Sequence, residues 1–266
     1  MPNDSVKKTI TVTLVLCLIC SIFVSVAAVG LSSVQKENKR LDKVKNILIA
    51  GGLYGETTDV PKVYKEKIVP LMVELSTGRI LGENEYPKEL NVQTFDLKKT
   101  AFDPQLGVRI QAEEDIAKIR SKPKYMVVYK VVDGSGNLEK LILPIYGYGL
   151  WSTLYGFIAL GDDLKTIQGI TYYEHAETPG LGGEVENPRW KGLWKGKKAF
   201  NDEGDVAISL IKGTVDPNSP RAQYQVDGLS GATITTRGVD NMMHYWLGKQ
   251  GYGPLLDTLK QGGTSG

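Results

Sequence analysis

Residues 227–233 read D-G-L-S-G-A-T and lead directly into a helix-like run from 235 to 247. The first N–H groups of a helix lack internal partners and sit at its positive end. Small residues and hydroxyls at that point make an anion site, and phosphate is the usual guest. Ser230, Thr233, Thr235 and Thr236 supply hydroxyls there, and Arg237 supplies a cation. Chemistry alone therefore offers a phosphate-bearing ligand at Thr233, with ordinary helix capping as the other reading of the same residues.

The spacing D-x-x-S-G-A-T also resembles the flavinylation motif found in bacterial respiratory flavoproteins. There a transferase takes FMN from FAD and leaves it phosphoester-linked to the last threonine, which corresponds to Thr233. A second feature suits the other end of such a ligand. Residues 177–183 read E-T-P-G-L-G-G, with three glycines in four positions. These permit close backbone approach and present unblocked N–H groups, which can meet the acceptors of an oxidised isoalloxazine ring. Trp151, in a glycine- and aromatic-rich stretch, either lays an aromatic plane beside a flat ligand or packs as core.

A rival chemistry uses the same residues. Gly228, Ser230 and Ala232 nearly complete the G-x-S-x-G nucleophile elbow of a serine hydrolase, with Asp240 and His244 following in hydrolase order. The last position is alanine, however, and the acid and base lie on the helix immediately after the serine. A hydrolase triad draws them from separate later loops. A third reading is a membrane-anchored scaffold without flavin.

The elements that must position these residues follow from the rest of the chain. Its 266 residues, 41% hydrophobic and 23% charged, allow a membrane segment plus one large or two small soluble domains. A net charge of +2, with no basic arm, argues against nucleic acid as the partner. The only cysteines, Cys17 and Cys20, lie in the N-terminal apolar run, and His175 and His244 are the only histidines. No His/Cys zinc site is expected from that set. Residues 9–35 carry no charge over 27 positions, longer than the apolar region of a cleaved signal peptide and long enough to span a bilayer. Within it, Cys17 and Cys20 share a helix face suited to helix packing, not redox work. Lys7 and Lys8 flank one end, and Lys36, Lys39, Arg40, Lys43 and Lys45 crowd the other. By charge count the large domain faces the cytoplasm, a rule that weighs little for long domains.

Residues 35–50 read as a charged helix ended by Gly51 and Gly52. Residues 126–132 and 141–146 read as a hairpin around D-G-S-G-N. Residues 141–161 are uncharged over 21 positions. Their prolines, glycines and scattered aromatics favour buried strands over a second membrane span. Further strands are expected at 169–175, 205–212 and 222–226. The basic-aromatic stretch 190–200 reads as a solvated face, residues 255 and 256 as a short apolar turn, and residues 261–266 as a disordered tail.

Taken together, the chain resembles the C-subunit family of sodium-translocating NADH:quinone reductases. The resemblance is carried by the single N-terminal anchor, the helix Q-K-E-N-K-R-L-D-K (35–43), P-I-Y-G-Y-G-L-W-S-T-L-Y-G (144–156), E-T-P-G-L-G (177–182) and the motif at 227–233. The block G-L-W-S (149–152) separates it from the related G-subunit family of Rnf-type ferredoxin-linked complexes. The family implies an α+β protein, with a single transmembrane helix and a soluble FMN-binding domain on a mainly antiparallel sheet with flanking helices. The implied divisions are a tail (1–8), an anchor (9–35), a helical and mixed connection packing on the core (36–124), the FMN-binding domain (125–256) and a C-terminal tail (257–266). It further implies covalent FMN on Thr233, with Ser230, Gly231 and Ala232 shaping the phosphate loop. Trp151, Glu177, Thr178 and Leu181 would line the ring. The chain would relay electrons inside a Na+-pumping NADH:ubiquinone reductase without touching NADH or quinone. Its partners would be the other subunits and a flavin transferase. Its place would be the bacterial inner membrane, single-pass, with the flavin domain periplasmic.

Overall fold

A computed structural model describes residues 5–262 of the chain. It divides into two compact units, Met1–Lys43 and Val44–Gly266. The first is essentially the long helix α1, Val6–Ala50, which continues into the second unit. Its stretch Val6–Ser32 has a mean hydropathy of 2.8 and is the one helix, among the described residues, long and apolar enough to cross a membrane. Four hydroxyls in that stretch turn back on the helix. The hydroxyls of Thr11, Thr13, Ser21 and Ser32 each donate to a carbonyl three or four residues earlier, which lowers the cost of placing them in hydrocarbon. Anchor and charged helix, read separately from the sequence, are one uninterrupted element.

In the second unit, the last turns of α1 bury Ile47, Leu48 and Ala50. Thr171 donates to the Asn46 side-chain oxygen at 2.9 Å. Gly52, at φ +68°, ends the helix, and the Leu53 N–H closes back onto the Leu48 carbonyl. This is the glycine-terminated C-cap expected there.

Six strands make the core sheet: β1 (Ile68–Glu74), β2 (Arg79–Ile80), β5 (Tyr125–Val132), β6 (Leu138–Tyr148), β7 (Thr153–Gly161) and β8 (Ile167–Glu174). Their order is β2-β1-β5-β6-β7-β8, and every neighbouring pair is antiparallel. The β5–β6 hairpin turns where Asp133 accepts the N–H groups of Ser135 and Asn137. The uncharged 141–161 segment forms most of β6 and β7, with side chains buried on both faces. The fold class is α+β, as expected.

The sheet starts earlier than the sequence suggested. The segment 36–124, read as a connection, supplies β1, which pairs with β5 along its full length. Pro70 hid that strand. It is tolerated because β2 covers only Val73 and Glu74, which leaves most of β1 on the edge. The same segment holds α2 (Val60–Lys67), α3 (Leu97–Phe102) and the short pair β3 (Gly107–Arg109) and β4 (Ser121–Pro123). The strands expected at 205–212 and 222–226 shrink to β9 (Ser209–Ile211) and β10 (Gln225–Asp227), which pair parallel to each other outside the main sheet. The stretch 190–200 is not a solvated face throughout. Trp190, in the short helix α4 (Pro188–Gly192), Trp194 and Phe200 are core.

Helix α5 (Thr233–Leu247) packs on β6. Trp246 donates its ring N–H to the Tyr146 carbonyl at 2.6 Å, and the Tyr252 hydroxyl donates to the Pro144 carbonyl at 2.6 Å. Gly238 lets α5 approach, since a Cβ there would overlap the carbonyl oxygen of Tyr148. The apolar turn at Leu255 and Leu256 is a full helix, α6 (Gly253–Lys260), reaching into the stretch expected as tail.

Candidate functional site

The motif is built by β10, a turn and the start of α5. Asp227 ends β10 and works as an organiser. Its carboxylate accepts the Val215 N–H at 2.8 Å, and its carbonyl accepts the Trp190 ring N–H at 2.9 Å. Gly231 takes φ +70°, a conformation that glycine adopts without strain. The turn closes with the Ala232 N–H on the Leu229 carbonyl at 3.1 Å, and the Leu229 N–H on the Thr236 hydroxyl at 2.9 Å. Helix α5 then begins at Thr233 with no side chain capping it.

The hydroxyls near the motif divide into two groups. Thr233 and Ser230 are exposed. Thr235 and Thr236 are buried and already engaged, Thr235 donating to Glu177 at 2.6 Å and Thr236 accepting from Leu229. The hydroxyls of these two are therefore not free for a ligand. The step of about 100° per helical residue points Thr235 toward Glu177 and leaves Thr236 over the turn at Leu229.

Glu177 is the hub of the second loop. It is 5% exposed. One carboxylate oxygen accepts the N–H groups of Leu150 at 3.1 Å, Trp151 at 2.9 Å and Ser152 at 3.2 Å, and the other accepts the Thr235 hydroxyl. Burial alone would raise its pKa. The Thr235 hydroxyl and the three amides outweigh that and hold the carboxyl below its ordinary 4.5. Its oxygens are thus spent on holding loop 149–152 against the first turn of α5. Trp151, 64% exposed, is not core. Leu181, 43% exposed, reaches toward Gly231, and Ile234 is 57% exposed. Thr178 is exposed, and its carbonyl accepts the N–H groups of Leu181 and Gly183.

Two faces of α5 thus carry different chemistry. Thr235 and Gly238 turn toward Glu177 and the end of β6. Thr233, Thr236, Arg237 and Asp240 turn the opposite way and line a groove of about 610 Å³, closed on its far wall by Lys212 and Thr214 beside β9. Ser230 and Gly231 form its rim, and Ala232 is buried beneath. Sequence reading missed Lys212 and Thr214, because only the parallel β9–β10 pairing brings them beside the motif, and no local pattern signals it.

The hydrolase geometry is absent. Asp240 gives a carboxylate oxygen to the Leu210 N–H at 2.7 Å, and the His244 ring nitrogen Nδ1 sits 3.0 Å from the Asp240 carbonyl, one turn along the same helix. Among the described residues no hydrogen bond joins Ser230 to either. Nor is any cluster of three His, Cys, Asp or Glu side chains among them placed to hold a metal ion.

Residues 149–248, which contain both loops and all of α5, match the FMN-binding domain family. Over 264 residues, 98% of both chains, the sequence is 46% identical to the C-subunit of the Na(+)-translocating NADH-quinone reductase of Pseudomonas aeruginosa. The chain belongs to that C-subunit family. Its counterpart in Haemophilus ducreyi is 47% identical over 97% of this chain and 96% of its own. The crystal structure of Shewanella oneidensis NqrC superposes with a TM-score of 0.75 at 36% identity, covering 84% of this chain and 99% of that one. The crystal structure of the C-subunit from Parabacteroides distasonis superposes with a TM-score of 0.63 at 29% identity, covering 85% and 96%. In this family member the FMN-binding segment thus opens on the 149–152 loop and closes at the end of α5, with Thr233 at that helix's first turn.

Proposed function

We propose that the chain carries FMN joined by a phosphoester to Thr233 and serves as an electron relay within a Na+-translocating NADH-quinone reductase. The observation that carries this reading is the state of Thr233. It is exposed at the uncapped start of α5 and lines a groove that also holds Lys212 and Arg237, while the hydroxyls of Thr235 and Thr236 are buried and engaged.

The residues present fit the group. Lys212 and Arg237 face the side of α5 on which Thr233 lies and can pair with a phosphodiester, while the carboxylates of Asp227 and Asp240 in the same lining are engaged by the Val215 and Leu210 N–H groups. Leu181, whose side chain lies against Gly231, and the exposed Trp151 and Ile234 offer apolar surface for a flat ring. Ser230, Gly231 and Ala232 shape the turn. Glu177 acts here as a positioning residue, since its carboxylate has no free lone pair to spare for a ring. When bound, FMN supplies reversible electron uptake and release. The protein's part is to tether, to orient and to bury one face.

The remaining features of the reading follow. Residues 9–35 form a single-pass anchor in the bacterial inner membrane, and the flavin domain is periplasmic. The basic residues after the anchor count the other way, but that rule is weak for a large domain. A flavin transferase attaches the group, the other subunits of the pump exchange electrons with it, and neither NADH nor quinone binds this chain. Membranes carrying the complex with Thr233→Ala are expected to assemble it yet lose NADH-driven quinone reduction. Full activity on adding free FMN to that variant would overturn the role given to the tether.

A further inference from the structure

The end of β8 runs into three residues, His175, Ala176 and Glu177, that hook the flavin-side loops together. The Ala176 N–H donates to the Ser152 hydroxyl at 2.7 Å. The Glu177 N–H donates to His175 Nδ1 at 3.1 Å. The Glu177 side chain then holds residues 150–152 and Thr235. The other ring nitrogen, Nε2, is buried and lies 3.1 Å from Glu186 Oε1, off the line of a hydrogen bond. His175 thus sits between a backbone donor that requires a bare Nδ1 and a carboxylate that favours the charged ring.

We propose that His175 is a positioning residue for the flavin site, and that its protonation at Nδ1 unhooks Glu177 and loosens loop 149–152 against α5. The physical basis is donor conflict. A proton on Nδ1 would face the Glu177 N–H at 3.1 Å, two donors with no acceptor between them. One must move. The neutral ring, with Nδ1 bare, locks the hook. The charged ring opens it and turns the 3.1 Å approach to Glu186 into an ion pair.

The charged groups around the ring set the balance. Glu186 attracts the imidazolium and is itself near Lys191, whose pKa burial lowers and Glu186 raises. Glu174 is paired with Lys98 across the sheet edge, and the Glu177 carboxylate is turned away toward the 150–152 amides. Histidine is the side chain whose ordinary charge change lies nearest neutrality, so the hook is tested across that range. The consequence for FMN rests on the function proposed above, whereas the hook itself does not.

Hydrogen exchange separates the two. Exchange at the amides of residues 150–152 is followed from pH 5 to 8, side by side with the amides of β6, in the intact chain carrying Thr233→Ala so that no flavin is attached. Protection at 150–152 is expected to fall at least tenfold more than at the β6 amides as pH drops. His175→Asn, which keeps an acceptor at the δ position and does not titrate, should stay protected throughout. Glu186→Gln should move the transition to lower pH. Parallel protection curves for the parent and His175→Asn would overturn the proposal. If His175→Asn fails to fold, Glu186→Gln alone decides it, because an unmoved transition refutes the role of the pair. On flavin-loaded protein, whose load is checked by mass, the polarisation of FMN fluorescence should fall over the same window and lose that fall in His175→Asn.

Discussion

Replacing Glu177 by alanine removes one acceptor group from four donors, the amides of Leu150, Trp151 and Ser152 and the Thr235 hydroxyl. A hydrogen bond to a charged group contributes about 1.5–3 kcal/mol. The three amides lie on a loop that water reaches, so half of the lower figure is kept for each. The Thr235 hydroxyl is buried and keeps it in full. The loss is then about 4 kcal/mol. For a domain of this size each kcal/mol moves the melting midpoint by roughly 2–4 °C, so a drop of about 8–16 °C is expected. Glu177→Gln keeps an acceptor for the amides but loses the charge, and should cost about 1–2 kcal/mol. Thermal unfolding of the purified full chain in detergent at neutral pH, followed by tryptophan fluorescence, gives both numbers. An alanine variant melting within about 2 °C of the parent, or a glutamine variant worse than alanine, would refute the hub assigned to Glu177.

The same carboxylate fixes an acid limb. Its folded pKa lies below the ordinary 4.5, so its contribution is complete above that value and is lost as pH falls through the folded pKa. Glu177→Gln should flatten the stability profile there, as read by urea unfolding between about pH 3 and 5. Gly238→Ala places a Cβ on the Tyr148 carbonyl, which forces α5 off β6. Expression as insoluble or molten protein is expected, and a native-like melt would contradict the packing. Trp246→Phe strands the Tyr146 carbonyl and should cost about 1–3 kcal/mol in denaturant unfolding. A chain starting at residue 44 should remain folded and leave the membrane fraction. One starting at residue 53 loses Ile47 and Leu48 from the core and should lose about 3–6 kcal/mol in urea titration.

Much of the site was legible because its signals are local. The D-G-L-S-G-A-T run, the glycines of 180–183 and the helix that follows each announce themselves within a few residues. Trp151 could be assigned to neither core nor surface from sequence, since tryptophan serves both. What stayed hidden depends on distant pairing. Lys212 and Thr214 reach the groove only through the parallel β9–β10 ladder. Strand β1 carries Pro70 and looks broken until its edge position is known. The engagement of Thr235 follows from where Glu177 lies, 58 residues earlier, which no run of residues around it states. Glu177 was expected beside the ring, and its partners stand 25 to 58 residues away.

The central claim is that Thr233 carries the flavin. Intact mass of the chain from cells that contain the flavin transferase, measured beside Thr233→Ala, tests it most directly. The parent is expected to carry the mass of FMN less one water, and the variant to carry none and to show no in-gel flavin fluorescence after denaturation. An unmodified parent, or a variant that keeps the added mass, would contradict it.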